Sequence, residues 1–234
     1  MSNKKVDIGI LGAMDAEVEA LISKLEDKTV ETVGSIKFNV GILEGKRVAI
    51  AKCGIGKVFA ALAAEAMIIT YSPSLLVNTG VGGALRSGIS VCDVVVADKL
   101  VQHDMDTSPL GDPKGLISGI NVIYFETSRR AVEIVTQACA ELSVNCHTGT
   151  IASGDVFVST SAQKSAIRAE FDAAVCEMEG AAIAQVAYVN NTPCCVIRAV
   201  SDSADEGSTM DYMQFLPIAA SNSTKITIEL CKKF

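Results

Sequence analysis

Short, almost wholly apolar runs, each followed by a segment of helical periodicity, recur along the chain, and few folds accommodate that pattern. Val6 to Ala13 is such a run, and Val18, Leu21, Ile22 and Leu25 behind it repeat at the spacing of an amphipathic helix. IKFNVGIL and RVAIAKC, joined by the turn EGK, read as a hairpin. Gly54-Ile55-Gly56 breaks its second strand ahead of the apolar helix VFAALAAEAMII, which Ser72-Pro73 stops. LLVNTG then predicts a strand running into a glycine-rich turn, Gly80-Val81-Gly82-Gly83. CDVVVADKLVQ is a further strand, followed by a polar Gly/Pro-containing loop over 104–119 and a helix near 127–142. After GTIASGD come a helix near 161–170, the strand AVCEME and a helix over 180–189. The strand CCVIRAVSD and a C-terminal helix from about Asp211 complete the pattern.

Strands alternating with helices predict one α/β domain over 1–234, with helices on both faces of a mostly parallel sheet. No linker, repeat or shift of composition divides the 234 residues. A chain of this length buries about 70% of its unfolded surface and needs no metal or disulfide staple. Aromatics are only 5% and Trp is absent, so the core must be aliphatic and rich in Ala and Gly. A net charge of −7 argues against binding to a nucleic-acid backbone or an anionic membrane. None of the eight cysteines forms a C-x-x-C pair, and most lie in apolar runs, which predicts buried thiols in a reducing compartment. His103 and His147, the two histidines, lie far from any cysteine pair, so no metal site is expected. MSNKKVDIGILGAM has no long apolar leader core and no window approaches 18 apolar residues, which predicts a cytoplasmic enzyme.

In α/β folds of this kind ligands bind beyond the carboxyl ends of the strands, and the chemistry here gathers at such ends. The glycines at 80–83 miss the G-x-G-x-x-G spacing at Leu85, and no G-K-[ST] is present, so neither phosphate motif is matched. The carboxylates carry more information. Glu17 follows the first strand, Glu177 and Glu179 flank Met178, and Asp202 ends a very apolar strand four residues after Arg198. A carboxylate at the end of a buried strand is either a helix cap or a group with a raised pKa. Carboxylates in distinct environments suit acid–base work on a glycosidic bond.

At these residues the chain resembles the 5'-methylthioadenosine/S-adenosylhomocysteine nucleosidases of the purine nucleoside phosphorylase superfamily. The motifs GAMDAEV (12–18), SGDVFV (153–158), CEMEG (176–180) and RAVSDSAD (198–205) carry the resemblance over nearly the whole chain. GIGKV (54–58) and NTGVGGAL (78–85) add to it. The resemblance implies a three-layer α/β/α sandwich around a central mixed sheet, a homodimer, and cofactor-free hydrolysis of an adenine N-glycosidic bond. It assigns Glu17 to the attacking water and Asp202 to adenine N7. Glu179 is implied at the ribose hydroxyls over Met178, Phe157 stacked on adenine, and the Val158 backbone at its edge. Met14, Ile55, Gly83, Glu177, Arg198 and Ser201 complete the implied contacts, with Tyr212 or Phe215 at the 5'-alkylthio group.

Elementary chemistry fits those roles. Breaking the bond builds positive charge on the sugar and negative charge on the base, so a protonated Asp202 behind Cys194, Cys195, Val196 and Ile197 suits the leaving group. Glu17 and Glu179, as anions, would stabilise the sugar. Related phosphorylases hold phosphate partly with an Arg and a Ser at the strand turn, where this chain has Asn78-Thr79-Gly80-Val81. Val81 replaces the serine found in some of the nucleosidases. Water is therefore the expected nucleophile, with futalosine or another purine nucleoside as an alternative substrate, a nucleoside phosphorylase on the same fold, and a non-catalytic nucleoside binder as the alternative from another class. Met105, Pro109, Leu110, Leu116 and Ile117 in the 104–119 loop mark the expected subunit interface, with Met105 near the partner's site.

Overall fold

Ten strands hydrogen-bond into one sheet in the computed structural model, which describes residues 4–234. Residues 1–3, the start of the expected 1–234 domain, lie outside the described residues. In chain order the first half contains β1 (Ile8–Gly12), α1 (Asp15–Ile22), β2 (Glu26–Val33), β3 (Ile36–Leu43), β4 (Lys46–Lys52), α2 (Lys57–Tyr71) and β5 (Leu75–Ala84). β6 (Val94–Gln102), β7 (Phe125–Glu126), α3 (Arg129–Glu141), β8 (Cys146–Ser153) and α4 (Ser161–Phe171) follow. β9 (Ala173–Glu177), α5 (Gly180–Val189), β10 (Cys194–Asp202) and α6 (Ser208–Lys233) end the chain.

The strand order is β10-β6-β8-β9-β5-β1-β4-β3-β2, with β7 paired to β6 off this path, and β10 also pairs in parallel with β5. That second pairing curls β5, β10, β6, β8 and β9 into a closed ring, while β1, β4, β3 and β2 extend from it as an open sheet. The sheet is mixed: β1 runs parallel to β4 and β5, whereas β10 meets β6, and β9 meets β5, in antiparallel pairs.

Period-two alternation sorts the strand side chains between two helical layers. Leu11, Leu76 and Val196 pack with α2 and α5, whose buried faces are built from Ala60, Ala63, Ala64, Ala181, Ala184 and Ala187. Ile8, Ile10, Val77 and Ile197 face the other way, onto α1, α3 and the second half of α6. This is the expected helix–sheet–helix layering, and its aliphatic, alanine-rich core follows from the near absence of aromatics. All eight cysteines are free, and the six buried ones contribute to the core.

Three local expectations change. β2, a polar edge strand, goes unmarked by any apolar run because its side chains are exposed or half-buried. The glycines at 80–83 form no turn. They belong to β5, fully buried along its length, and none has a positive φ. AVCEME is shorter than expected: β9 stops at Glu177, and Glu179 stands at the N-cap position of α5 without a side-chain cap.

Candidate active site

One cavity opens where the carboxyl ends of β1, β5, β9 and β10 meet, and it gathers residues from all the motifs singled out in the sequence. Met14 and Glu17 reach it from the β1–α1 junction, and Ile55 from the loop before α2. Gly83 belongs to β5, Phe157 and Val158 to the loop after β8, and Glu177, Met178 and Glu179 to the β9–α5 junction. Ser201 and Asp202 end β10, and Tyr212 projects from α6. Two expected residues stand elsewhere. Phe215 is half-buried on α6 and does not line the cavity. Arg198 lies behind it, buried, and touches the cavity residues rather than the space.

Glu17 lies in the first turn of α1, and its carboxylate folds back to accept three backbone N–H groups. Oε2 takes those of Ala13 (2.7 Å) and Met14 (3.0 Å), and Oε1 takes that of Val81 (3.1 Å). It therefore caps its own helix and faces the cavity, uniting the two readings that the sequence left open. Burial pushes its pKa up, against the pull of Arg198 and the three amides.

Asp202 sits across β5 from Glu17. Its Oδ2 accepts from the Ser201 hydroxyl at 2.8 Å and its Oδ1 from the Ala204 N–H at 2.9 Å. Ala204 provides that N–H from a left-handed backbone conformation, φ +51°. Desolvation again pushes the carboxyl up, and here fewer donors oppose it. The glycines of β5 acquire their reason at this point. A Cβ on Gly80 would stand 2.5 Å from Glu17 Oε1, and one on Gly83 would stand 2.8 Å from Asp202 Oδ1. Close approach of two carboxyls to one strand requires glycine there, and no turn does.

Glu177 and Glu179 diverge in role despite their i, i+2 spacing. Glu177 accepts from the Ser153 hydroxyl, from the N–H groups of Glu179 (3.0 Å) and Gly180 (2.8 Å), and from the Arg198 guanidinium. Glu179 instead faces outward from that cluster, with Oε1 accepting the Gly56 N–H at 2.8 Å and Oε2 4.0 Å from Arg198. Burial, then the neighbouring Glu177, raises its pKa to about 7. Desolvation thus raises the pKa of both Glu17 and Glu179, the two groups expected to act as anions beside the sugar. Above Met14, whose sulfur accepts from the Tyr212 hydroxyl at 3.2 Å, the rings of Phe157 and Tyr212 meet edge to face at 5.7 Å.

The family model of the phosphorylase superfamily matches residues 7–232. The chain belongs to the phosphorylase superfamily. Among solved structures it is similar to a Neisseria meningitidis 5'-methylthioadenosine/S-adenosylhomocysteine nucleosidase in complex with methylthio-immucillin-A. That pair shares 35% identity, with a TM-score of 0.94 and coverage of 97% of this chain and 99% of the other. The native futalosine hydrolase of Helicobacter pylori is 34% identical, with a TM-score of 0.93 and 97% of both chains covered. An S-adenosylhomocysteine nucleosidase from Streptococcus pyogenes in complex with 5-methylthiotubericidin is 31% identical, with a TM-score of 0.94, over 100% of this chain and 98% of the other.

For a superfamily that includes phosphorylases, the side chains at 78–81 matter. Asn78 donates to the Leu11 carbonyl at 3.0 Å and accepts from Arg198. The Thr79 hydroxyl is engaged with Ser223 (2.6 Å) and Thr227 (2.8 Å). Arg86 turns away to the Asp172 carbonyl at 3.0 Å. No cationic or hydroxyl group of this stretch points into the cavity, and Val81 lines it with an apolar surface. Among the described residues no group of three His, Cys, Asp or Glu side chains is arranged to hold a metal ion, and no helix is long and apolar enough to cross a membrane.

Ala13, Gly82, Val156 and Cys176 also line the cavity without having been named as site residues. Each lies inside one of the quoted motifs, so the signal was the motif itself. Apolar wall residues carry no chemistry that would mark them individually.

Proposed function

We propose that the protein hydrolyses the N-glycosidic bond of 5'-methylthioadenosine and S-adenosylhomocysteine, releasing adenine and the 5-alkylthioribose. The observation that carries this reading is the pair of buried carboxyls, Glu17 and Asp202, on opposite sides of β5 in one cavity. The 31–35% identical nucleosidases, covered almost end to end, support it.

The roles follow from the environments. Asp202, its pKa raised by desolvation, gives its proton to N7 as the C1'–N9 bond breaks and its electron pair passes to the base. Water attacks C1', and Glu17 takes its proton; a base with a raised pKa does this near neutral pH. Glu179, which lines the cavity beside Met178, holds the ribose hydroxyls, while Phe157 covers the base and Tyr212 the 5' substituent. Arg198 acts from behind through Glu177 instead of touching the nucleoside. With no anion cradle at 78–81, water is the nucleophile. Futalosine is the second reading, favoured by the 34% identical Helicobacter pylori hydrolase. Adenine release from methylthioadenosine tests the proposal. It should proceed at equal rate with and without phosphate and leave a free sugar, and a ribose 1-phosphate product would overturn it.

In the same reading, residues 1–234 form one nucleosidase domain, acting in the cytoplasm in methionine salvage as a homodimer. Val58, Phe59, Leu62 and Ile69 leave an apolar stripe exposed on α2, continuous with Ile55 at the cavity mouth, and Leu110 in the 104–119 loop is 85% exposed. This stripe and that loop, with Met105, are the surface a second copy would cover. Leu62→Asp combined with Leu110→Asp should yield a monomer with reduced activity, since burying an unpaired carboxylate costs several kcal/mol. A dimer by light scattering after both changes would refute this interface.

A further inference from the structure

Three residues outside the cavity close a ring of hydrogen bonds around its rim. The Asp155 carboxylate accepts the Lys57 N–H at 2.8 Å, and the Asp155 N–H donates to Asp104 at 2.9 Å. The other oxygen of Asp104 accepts from the Lys57 ammonium at 2.6 Å, which also donates to Gln102 at 3.1 Å. The Lys57 and Asp104 side chains are only 18% and 25% exposed, so the pair is shielded more than an ordinary surface ion pair. Three separate chain segments meet here: the loop-to-helix junction that opens α2, the turn just after β6 and the loop after β8. The first carries Ile55, and the third carries Phe157, both on the cavity wall.

Gly56 joins this ring to the carboxylates. It is the cap residue of α2, with φ +96°, and has no side chain to accept the first helical N–H groups. An Asp or Ser at 56 would cap the helix locally. Here the acceptor comes from Asp155, 98 residues away, and a Cβ on Gly56 would stand 3.0 Å from its Oδ1. Meanwhile the Gly56 N–H points at Glu179 Oε1 at 2.8 Å. A cap supplied from the Phe157 loop does more than stabilise a helix: it fixes the distance between the two walls and the aim of one amide.

We propose that Asp155, held by Lys57 and Asp104, is a positioning residue that sets the Ile55 and Phe157 walls of the nucleoside site and aims the Gly56 N–H at Glu179. This rests on the reading of the cavity as a nucleoside site. The groups facing Glu179 are Glu177 of β9, Arg198 of β10, Glu17 of α1, Cys53 after β4 and Tyr212 of α6. Asp155 is none of these. It acts on Glu179 through the Gly56 amide, a donor that favours the ionised carboxylate.

The test compares Asp155→Ala with Asp155→Asn by adenine-release kinetics and by following the Gly56 amide resonance of labelled protein through a pH titration. Loss of the latch should raise KM about tenfold while kcat changes less than about threefold, because the lost contacts position the bound nucleoside. The Gly56 titration midpoint should move upward in Asp155→Ala. Asp155→Asn keeps an acceptor for the Lys57 N–H and should recover most of both effects. An unchanged KM and midpoint in Asp155→Ala would overturn the proposal. So would a parallel loss of kcat/KM and thermal stability with the midpoint unmoved. Should the wild-type protein release no adenine, the functional reading falls, and the Gly56 titration alone decides the latch.

Discussion

Two buried aspartates of neighbouring strands, Asp202 at the carboxyl end of β10 and Asp93 just before β6, where its carbonyl accepts the Val200 N–H, behave in opposite ways. At the carboxyl end, Asp202 has one hydroxyl and one amide donor, and desolvation wins: its pKa is raised. At the amino end of β6, Asp93 is also buried, but it accepts from the Ser90 N–H (2.9 Å), the Asn145 amide (3.1 Å) and the His147 ring (3.0 Å). Desolvation pushes Asp93 up as well, yet those three partners outweigh it and its pKa is lowered. Burial alone therefore does not make an acid. The balance between the depth of desolvation and the count and charge of the donors decides which way a buried carboxyl is shifted.

The largest expected effect is at Asp202. Asp202→Asn should reduce adenine release by about 10²-fold or more, since Asn has no acidic proton to deliver. The same change should leave thermal stability at pH 7 unchanged or higher. A carboxyl whose folded pKa is raised contributes stability below its unfolded pKa and loses it as pH rises through the folded value. Wild-type turnover, or a large fall in melting temperature, would break the contrast with Asp93.

Glu17→Gln sharpens it. Glu17 has three amide donors, as many partners as Asp93, yet burial still raises its pKa. As the base for water it should lose kcat, by about 10²-fold, with little change in KM. A variant altered only in KM would make Glu17 a binding group.

Asp93→Ala should give the smallest change in activity and a clear change in stability. Leaving its donors unpaired costs about 1–3 kcal/mol, and each kcal/mol lowers the melting temperature by about 2–4 °C in a chain of this size. Its folded pKa is lowered, so its contribution is present above the unfolded pKa and lost as pH falls through the folded one. Melting curves of wild type and variant should converge in acid. Equal melting temperatures at pH 7 would show that the cluster contributes nothing.

Much of this was legible from the chain. Apolar runs marked β1, β5, β6 and β10 because strands covered on both faces must be apolar throughout. The order of GAMDAEV, SGDVFV, CEMEG and RAVSDSAD marked the residues now gathered in one cavity. β2 escaped because an exposed edge strand needs no apolar signal. Arg198 was grouped with the cavity by its motif and Phe215 by the resemblance, and neither says which side of a strand or helix a side chain takes.

Local pattern thus determined the layers, the strand ends that hold the chemistry, and the residue types available there, because periodicity is a property of consecutive residues. The protonation tendencies of Glu17, Glu179 and Asp202, the need for glycine at 80 and 83, and the tie from Asp155 to Lys57 depended on tertiary structure. Each is set by distances of about three ångströms between segments far apart in the chain, and desolvation and donor count exist only once those segments have met.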